Sequence, residues 1–410
     1  MQAEKRIYDW EREKRRERRE RERRMKRERA EKEAASRLAA KGPMDVPFLV
    51  LTLLLVVVGL VAQLSASFPY AAHNANLNYN PLHYFTRHLI FSAMGVTAML
   101  IIGSFNYQRF RAFSNLFLLL AGLFLLLVLI PGIGITRNNA TRWLGFNDTL
   151  QFQPSEFAKF AVILFFADSI SHKRERMESL REVVNPYIII LAVAAGLMMM
   201  EPHLSGTVLI LSTGVIMLVV GGMQLKWVFA AGGAAAVLGY LVIGKLGYGA
   251  SRIAMWLDPW KDTSDAGYQM CQSLISIGSG GLFGVGIGRS RQKYLYLPEG
   301  QNDFVFSIVC EEVGFIGATL IVCLFIALIM RGFWIALRAN DRFGALLTVG
   351  IVSLFALQTF LNIAVVTGLV PCTGISLPFF SYGGTALLFQ LAEIGVVLSV
   401  SRQIRTPKAG

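Results

Sequence analysis

PFLVLTLLLVVVGLVAQLSA, residues 47–66, runs for twenty positions without a charge. A hydrocarbon core of about 30 Å takes about twenty apolar residues at 1.5 Å each, so this stretch reads as a helix in a bilayer. Nine more apolar runs follow, at 88–105, 116–134, 157–171, 187–201, 205–222, 227–245, 304–330, 344–369 and 386–401. Of the 410 residues 54% are hydrophobic, and mean hydropathy is +0.50. Together these exclude a soluble globular enzyme. The fold class expected is all-α: a polytopic membrane protein of about ten transmembrane helices, with a large extracytoplasmic loop between the seventh and eighth.

Charge is concentrated outside that bundle. Residues 1–46 hold 17 Lys/Arg and 11 Asp/Glu, out of 40 and 27 in the chain. Three segments are expected: a charged cytoplasmic tail at 1–46, a membrane domain at 47–403 and a cytoplasmic C-terminal tail at 404–410. The first tail mixes both signs at helical spacing, which suits a solvated helix against anionic membrane lipids and not a nucleic-acid partner. It lacks the apolar seam a coiled coil needs. With the N-terminus inside, 30 of the 40 Lys/Arg fall in inside segments, and both termini are expected to be cytoplasmic. The long charged tail and the full-length first run argue against a cleavable signal peptide. Cys271, Cys310, Cys323 and Cys372 show no metal-ligand spacing, while a Cys271–Cys372 bridge stays open.

Specific signals gather in the connections assigned to the outside. YLYLPEGQNDFVFSIVCEEVG (294–314) puts Asp303 where a polar loop enters an apolar run. Two compatible readings apply: a helix N-cap, and a partly desolvated carboxylate whose raised pKa suits it to accept a proton. Glu311 and Glu312 lie deeper in that helix and must face protein or water, as a buried structural pair or as cavity lining. In QFQPSEFAKF (151–160), Glu156 and Lys159 share a helix face as an ion pair that serves as glue or lines a polar cavity. GSGGLFGVGIG (278–288) lacks the βαβ context of a dinucleotide site, although its backbone amides suit phosphate. Arg289, Arg291 and Lys293 follow it, against the positive-inside trend, as a solvated loop or as partners of an anionic headgroup. ISLPFFSYGGTALL (375–388) is a Pro/Gly loop, containing Ser381 and Tyr382, whose backbone can approach a ligand closely.

Four of these strings, QPSEFAK, WLDPWKDTSDAGYQMCQSLISIGSGGLFGVGIG, YLPEGQNDFVFSIVCEEVGFIG and LPFFSYGGT, resemble the SEDS family of shape, elongation, division and sporulation proteins (the RodA, FtsW and SpoVE kind). The likeness spans 47–403. It implies ten helices and polymerisation of lipid II into peptidoglycan glycan strands at the outer face of the bacterial cytoplasmic membrane. It also implies a class B penicillin-binding transpeptidase as partner. The family's essential carboxylate, in LPE-x-x-x-D-F, falls on Asp303. Three positions depart from the family pattern: Gln301-Asn302 stand for His-Thr, His203 replaces the Asp of Glu-Pro-Asp, and Thr373 replaces a Lys of some division-type members.

A diphosphate leaves as a stable anion, so one base suffices where a glycosidase needs two carboxylates. Asp303 is the expected base; no cofactor is certain, and a divalent cation (Mg or Mn) ligated by Asp303 is an open alternative. Arg252, Arg289, Arg291, Lys293 and Glu299 are the substrate and diphosphate candidates, and Glu156, Lys159, Glu311, Glu312, Ser381 and Tyr382 the cavity candidates. Two competing functions remain open on sequence: a lipid II flippase and a scaffold that recruits a transpeptidase.

Overall fold

The computed structural model describes residues 42–137, 140–147, 150–173, 183–230, 232–233, 250–264 and 267–404, with the side chains of 137, 146, 147 and 150 and of 250–252 excepted. The tail at 1–41, most of the run at 227–245 and the end beyond 404 lie outside these residues. The other nine apolar runs each coincide with a helix. These are α1 (Val46–Ala72), α2 (His83–Ser104), α3 (Ser114–Val128), α4 (Pro154–His172), α5 (Ile189–Met200), α6 (Leu204–Val220), and, after the amphipathic α7 (Ala250–Leu257) and the short α8 (Tyr268–Ser279), α9 (Val305–Leu337), α10 (Arg342–Val366) and α11 (Gly384–Ser401). Five of them, α1, α2, α9, α10 and α11, are by length and composition long and apolar enough to cross a membrane. The chain is a mostly helical, multi-pass membrane protein.

Packing follows from which helices are apolar all round. α11 lies along α2, α10 along α9, and α4 between α3 and α10. α4 is deeply buried, which is how it can hold Glu156 and Lys159 away from lipid. Both limits of the described chain meet at one end of the bundle. There the Asp45 carboxylate caps α1 through the Phe48 N–H (3.0 Å) and accepts from Arg331 Nε and Nη2 (3.0 and 2.8 Å), while its own N–H donates to Ser401 Oγ. Arg402 Nε donates to Gly42 O beside it.

One element was not anticipated. The connection from α3 to α4 folds into a three-stranded antiparallel sheet, β1 (Gly134–Arg137), β2 (Ala140–Asn147) and β3 (Leu150–Phe152), in the order β1-β2-β3. Gly134 pairs with Leu144, and Leu144 with Phe152. The helical expectation holds for the bundle, with this small sheet added at one end. The bridge left open by sequence is absent, since Cys271 and Cys372 are free thiols and the Cys271 S–H donates to Pro259 O.

The glycine-rich segment after α8 meets a break in α9 at Gly314 (φ +69°, ψ −173°). Its backbone takes over the bonds the helix gives up. Val285 and Gly286 donate to the carbonyls of Glu311 and Glu312 (both 3.0 Å), and Phe315 and Ile316 donate to those of Gly281 and Leu282 (2.8 and 3.1 Å). These four bonds bridge the break in the helix. A Cβ on Gly314 would sit 2.2 Å from Gly284 N. Gly314→Ala must therefore displace the loop as well as bear about 1–2 kcal/mol for a left-handed residue. The variant is expected to melt several degrees lower in detergent, and an unchanged melting curve would mean the break is dispensable.

Candidate functional site

At the end of the bundle opposite Asp45 and Arg402 lies a polar cavity of about 710 Å³. Its walls come from segments far apart in sequence: the turn before α9, the loop between α10 and α11, the first turns of α4 and α6, strand β2 and the start of α2.

Asp303 lines it. The N-cap reading is corrected: Phe304 occupies that position and no side chain caps α9, so the Asp303 carboxylate belongs to the cavity. The turn is held by its backbone. Asn362 of α10, fully buried, donates through Nδ2 both to Asp303 O (2.7 Å) and to Ile375 O (2.6 Å). Tyr382 N–H donates to Gln301 O (3.0 Å), and the Gln63 amide of α1 donates to Gln301 O and Phe380 O (both 3.1 Å) in the orientation that satisfies its neighbours. Gly374, at φ +64°, passes so close that a Cβ there would lie 3.1 Å from Asp303 Oδ2. Burial, and then the negative charge of Glu299, push the Asp303 carboxyl up to about 6, against the pull of Arg142. Asn302 Nδ2 donates to the Glu299 carboxylate, which fixes that second acid.

Because Asn362 holds the backbone and not the carboxylate, it acts as a positioning residue. Asn362→Leu is expected to lower kcat roughly 10–100-fold, the cost of a displacement near 1 Å, with KM little changed. A rise in KM at constant kcat would assign Asn362 to binding instead.

The other candidates divide. Glu156, Lys159, Glu299, Ser381 and Tyr382 line the cavity with Asp303. Lys159 Nζ donates to Glu156 Oε1 at 2.8 Å, with Glu393 of α11 buried beside the pair. Ser381 Oγ accepts from Leu377 N–H at 2.7 Å and shapes its loop, and Tyr382 stacks edge-on against Tyr84.

Arg289, Arg291, Lys293, Glu311 and Glu312 are elsewhere. Lys293 is buried in an ion pair with Glu312 (3.0 Å) that also engages Ser65 of α1. The Glu311 carboxylate accepts from the Arg291 N–H (3.0 Å) and from the Ser290 hydroxyl. The two acids thus hold the glycine-rich loop and do not line the cavity. The side chain of Arg252 lies outside the described residues.

In place of the expected cations the cavity presents Arg87, Arg142 and Lys159. Arg142 Nε donates to Glu201 O at 3.3 Å and Nη2 to Pro202 O. A signal for Arg142 existed, since it is a basic residue in a connection that the sequence assigns to the outside. Asn362 too was visible, as one of two side-chain amides, with Gln358, in an apolar run. Among the described residues no three of His, Cys, Asp and Glu converge on a metal-sized site.

A many-helix membrane protein whose polar chamber is lined by three carboxylates and three cations is equipped to bind a charged, polar group at one end of its bundle. Residues 46–406 match the FtsW/RodA/SpoVE family model, described as cell cycle protein, and the chain belongs to that family. It is 41% identical to the stage V sporulation protein E of Bacillus subtilis over 88% of this chain and 98% of that protein. It is 36% identical to a probable peptidoglycan glycosyltransferase FtsW of Trichlorobacter lovleyi over 88% and 94%. Among solved structures, it resembles a chain of a peptidoglycan synthase complex that coordinates polymerization and crosslinking (TM-score 0.72, 26% identity, 89% and 99% covered). It also resembles the rod shape determining protein RodA of Thermus thermophilus (TM-score 0.65, 25% identity, 89% and 98% covered).

Proposed function

We propose that this chain is a peptidoglycan glycosyltransferase that polymerises lipid II into glycan strands at the outer face of the bacterial cytoplasmic membrane, in division, elongation or sporulation. The observation that carries this reading is the partly buried Asp303 carboxylate facing a cavity lined by Arg87, Arg142 and Lys159. Asp303 takes the proton of the acceptor sugar hydroxyl while that oxygen attacks the anomeric carbon of the donor. The bond from that carbon to the diphosphate breaks, and the polyprenyl diphosphate departs as an anion. A positioned base of this kind supplies about 10²–10⁴-fold. The cations stabilise the charge gathering on the diphosphate, and the walls hold the two headgroups in register. Where a divalent cation takes part, Asp303 and Glu299 would hold it and it would neutralise diphosphate charge.

The reading carries an orientation, with the cavity outside and both termini cytoplasmic, and a partner, a class B penicillin-binding transpeptidase. The similarity to a chain of a synthase complex that pairs polymerization with crosslinking supports the partner. Purified protein given lipid II in detergent should make glycan chains, a result that separates a polymerase from a flippase or scaffold because nothing needs to cross a bilayer. The rate should climb with pH through about 6, where Asp303 loses its proton, and level off above. A rate that falls across that interval would remove Asp303 as the base.

A further inference from the structure

We propose that the N-terminus of α6, with His203, Ser205 and Gly206, is a phosphoryl-binding subsite in the cavity wall, separate from the Asp303 turn. That its ligand is the phosphoryl group of a polyprenyl diphosphate rests on the glycosyltransferase reading; the site itself does not.

Residue 203 is the N-cap of α6, a position that Asp, Ser or Asn fills by accepting from the first amides of the helix. His203 makes no side-chain cap bond. Among the described residues no side chain caps the leading N–H groups of this 17-residue helix, and the positive end of the helix dipole lies behind them. Ser205 and Gly206, the residues carrying those amides, line the cavity.

The imidazole is the second, independent observation. It lines the same cavity at 7% exposure, and its Nδ1 is buried with no hydrogen-bond partner among the described residues. Buried ring nitrogens without partners are uncommon and mark a missing one. The ring leans over the first turn, since a Cβ on Gly206 would fall 2.7 Å from its Cε1. Burial, then the charges of Arg142 and Lys159, lower its pKa to about 3, so it is a neutral N–H donor between two cations. An Asp at this N-cap, as in Glu-Pro-Asp, would answer the helix amides with its own carboxylate and repel an incoming phosphate. With His the amides remain available and no further carboxylate is placed beside them. Phosphate at a helix N-terminus flanked by Arg and Lys is the ligand this arrangement fits.

The test uses the purified full chain in detergent and two probes, inorganic pyrophosphate and farnesyl diphosphate, with binding read by calorimetry. His203→Asp is expected to weaken pyrophosphate binding roughly tenfold, the loss of one charge-assisted contact, while His203→Gln stays near wild type. Because Asp is a favourable N-cap, the first variant should melt no lower than wild type. If it fails to fold, Ser205→Asp puts a carboxylate on the same turn and is judged by the same criterion. Tighter binding of farnesyl diphosphate than of pyrophosphate assigns the site to a lipid-borne group, and equal binding to free pyrophosphate; both support the subsite. Unchanged binding by the Asp variant, or no binding of either probe to wild type, overturns it. Polymerisation of lipid II is scored separately. A chain that makes no glycan but loses pyrophosphate on His203→Asp sinks the enzymatic reading and leaves the site standing.

Discussion

Asp303→Asn is expected to reduce lipid II polymerisation by about 10²–10⁴-fold, the full share of a positioned base. Asn matches Asp in volume and cannot take the hydroxyl proton. The turn should hold its shape, because Asn362, Tyr382 and Gln63 grip main-chain atoms that the substitution leaves in place. Membrane insertion, melting temperature and pyrophosphate binding should therefore stay close to wild type while glycan products vanish from the gel. Polymerisation at the wild-type rate would end the assignment of Asp303.

The largest effect on stability is expected far from the chemistry, at Lys293. Its ammonium and the Glu312 carboxylate have 4% and 5% side-chain exposure and share the Ser65 hydroxyl, which donates to Glu312 at 2.5 Å and accepts from Lys293 at 2.9 Å. Lys293→Met strands the carboxylate, and an uncompensated buried charge costs about 3–5 kcal/mol. Adding Glu312→Gln should restore much of that loss, because an amide still accepts from Ser65 and carries no charge. Thermal unfolding of the single and double variants in one detergent decides the matter. A double variant no more stable than Lys293→Met would show that the pair does not act as a unit.

The helices were legible because twenty uncharged residues admit few other fates, and Asp303 because a lone acid at the mouth of such a run is costly unless used. Glu156 and Lys159 were legible as a pair from their i,i+3 spacing, and the 2.8 Å contact is there. The strands at 134–152 were not, since short segments broken by polar residues look like any long loop, and their pairing depends on the bundle they rest on. The misplacement of Arg289, Arg291 and Lys293 has a similar cause. Their charge was visible, but the two glutamates that claim this segment sit some twenty residues downstream, just before the break at Gly314. The charge of Arg142 was visible in the sequence, but the strand that carries it to the cavity was not.

The bonds from Asn362, Gln63 and Tyr382 have a mechanical consequence. The segments bearing Asp303 and Tyr382 are riveted to each other and to two separate helices, so that side of the chamber behaves as a rigid anvil. Whatever clearance a lengthening product needs is therefore expected on the facing side, where the small sheet and the opening turns of α4 and α6 line the chamber.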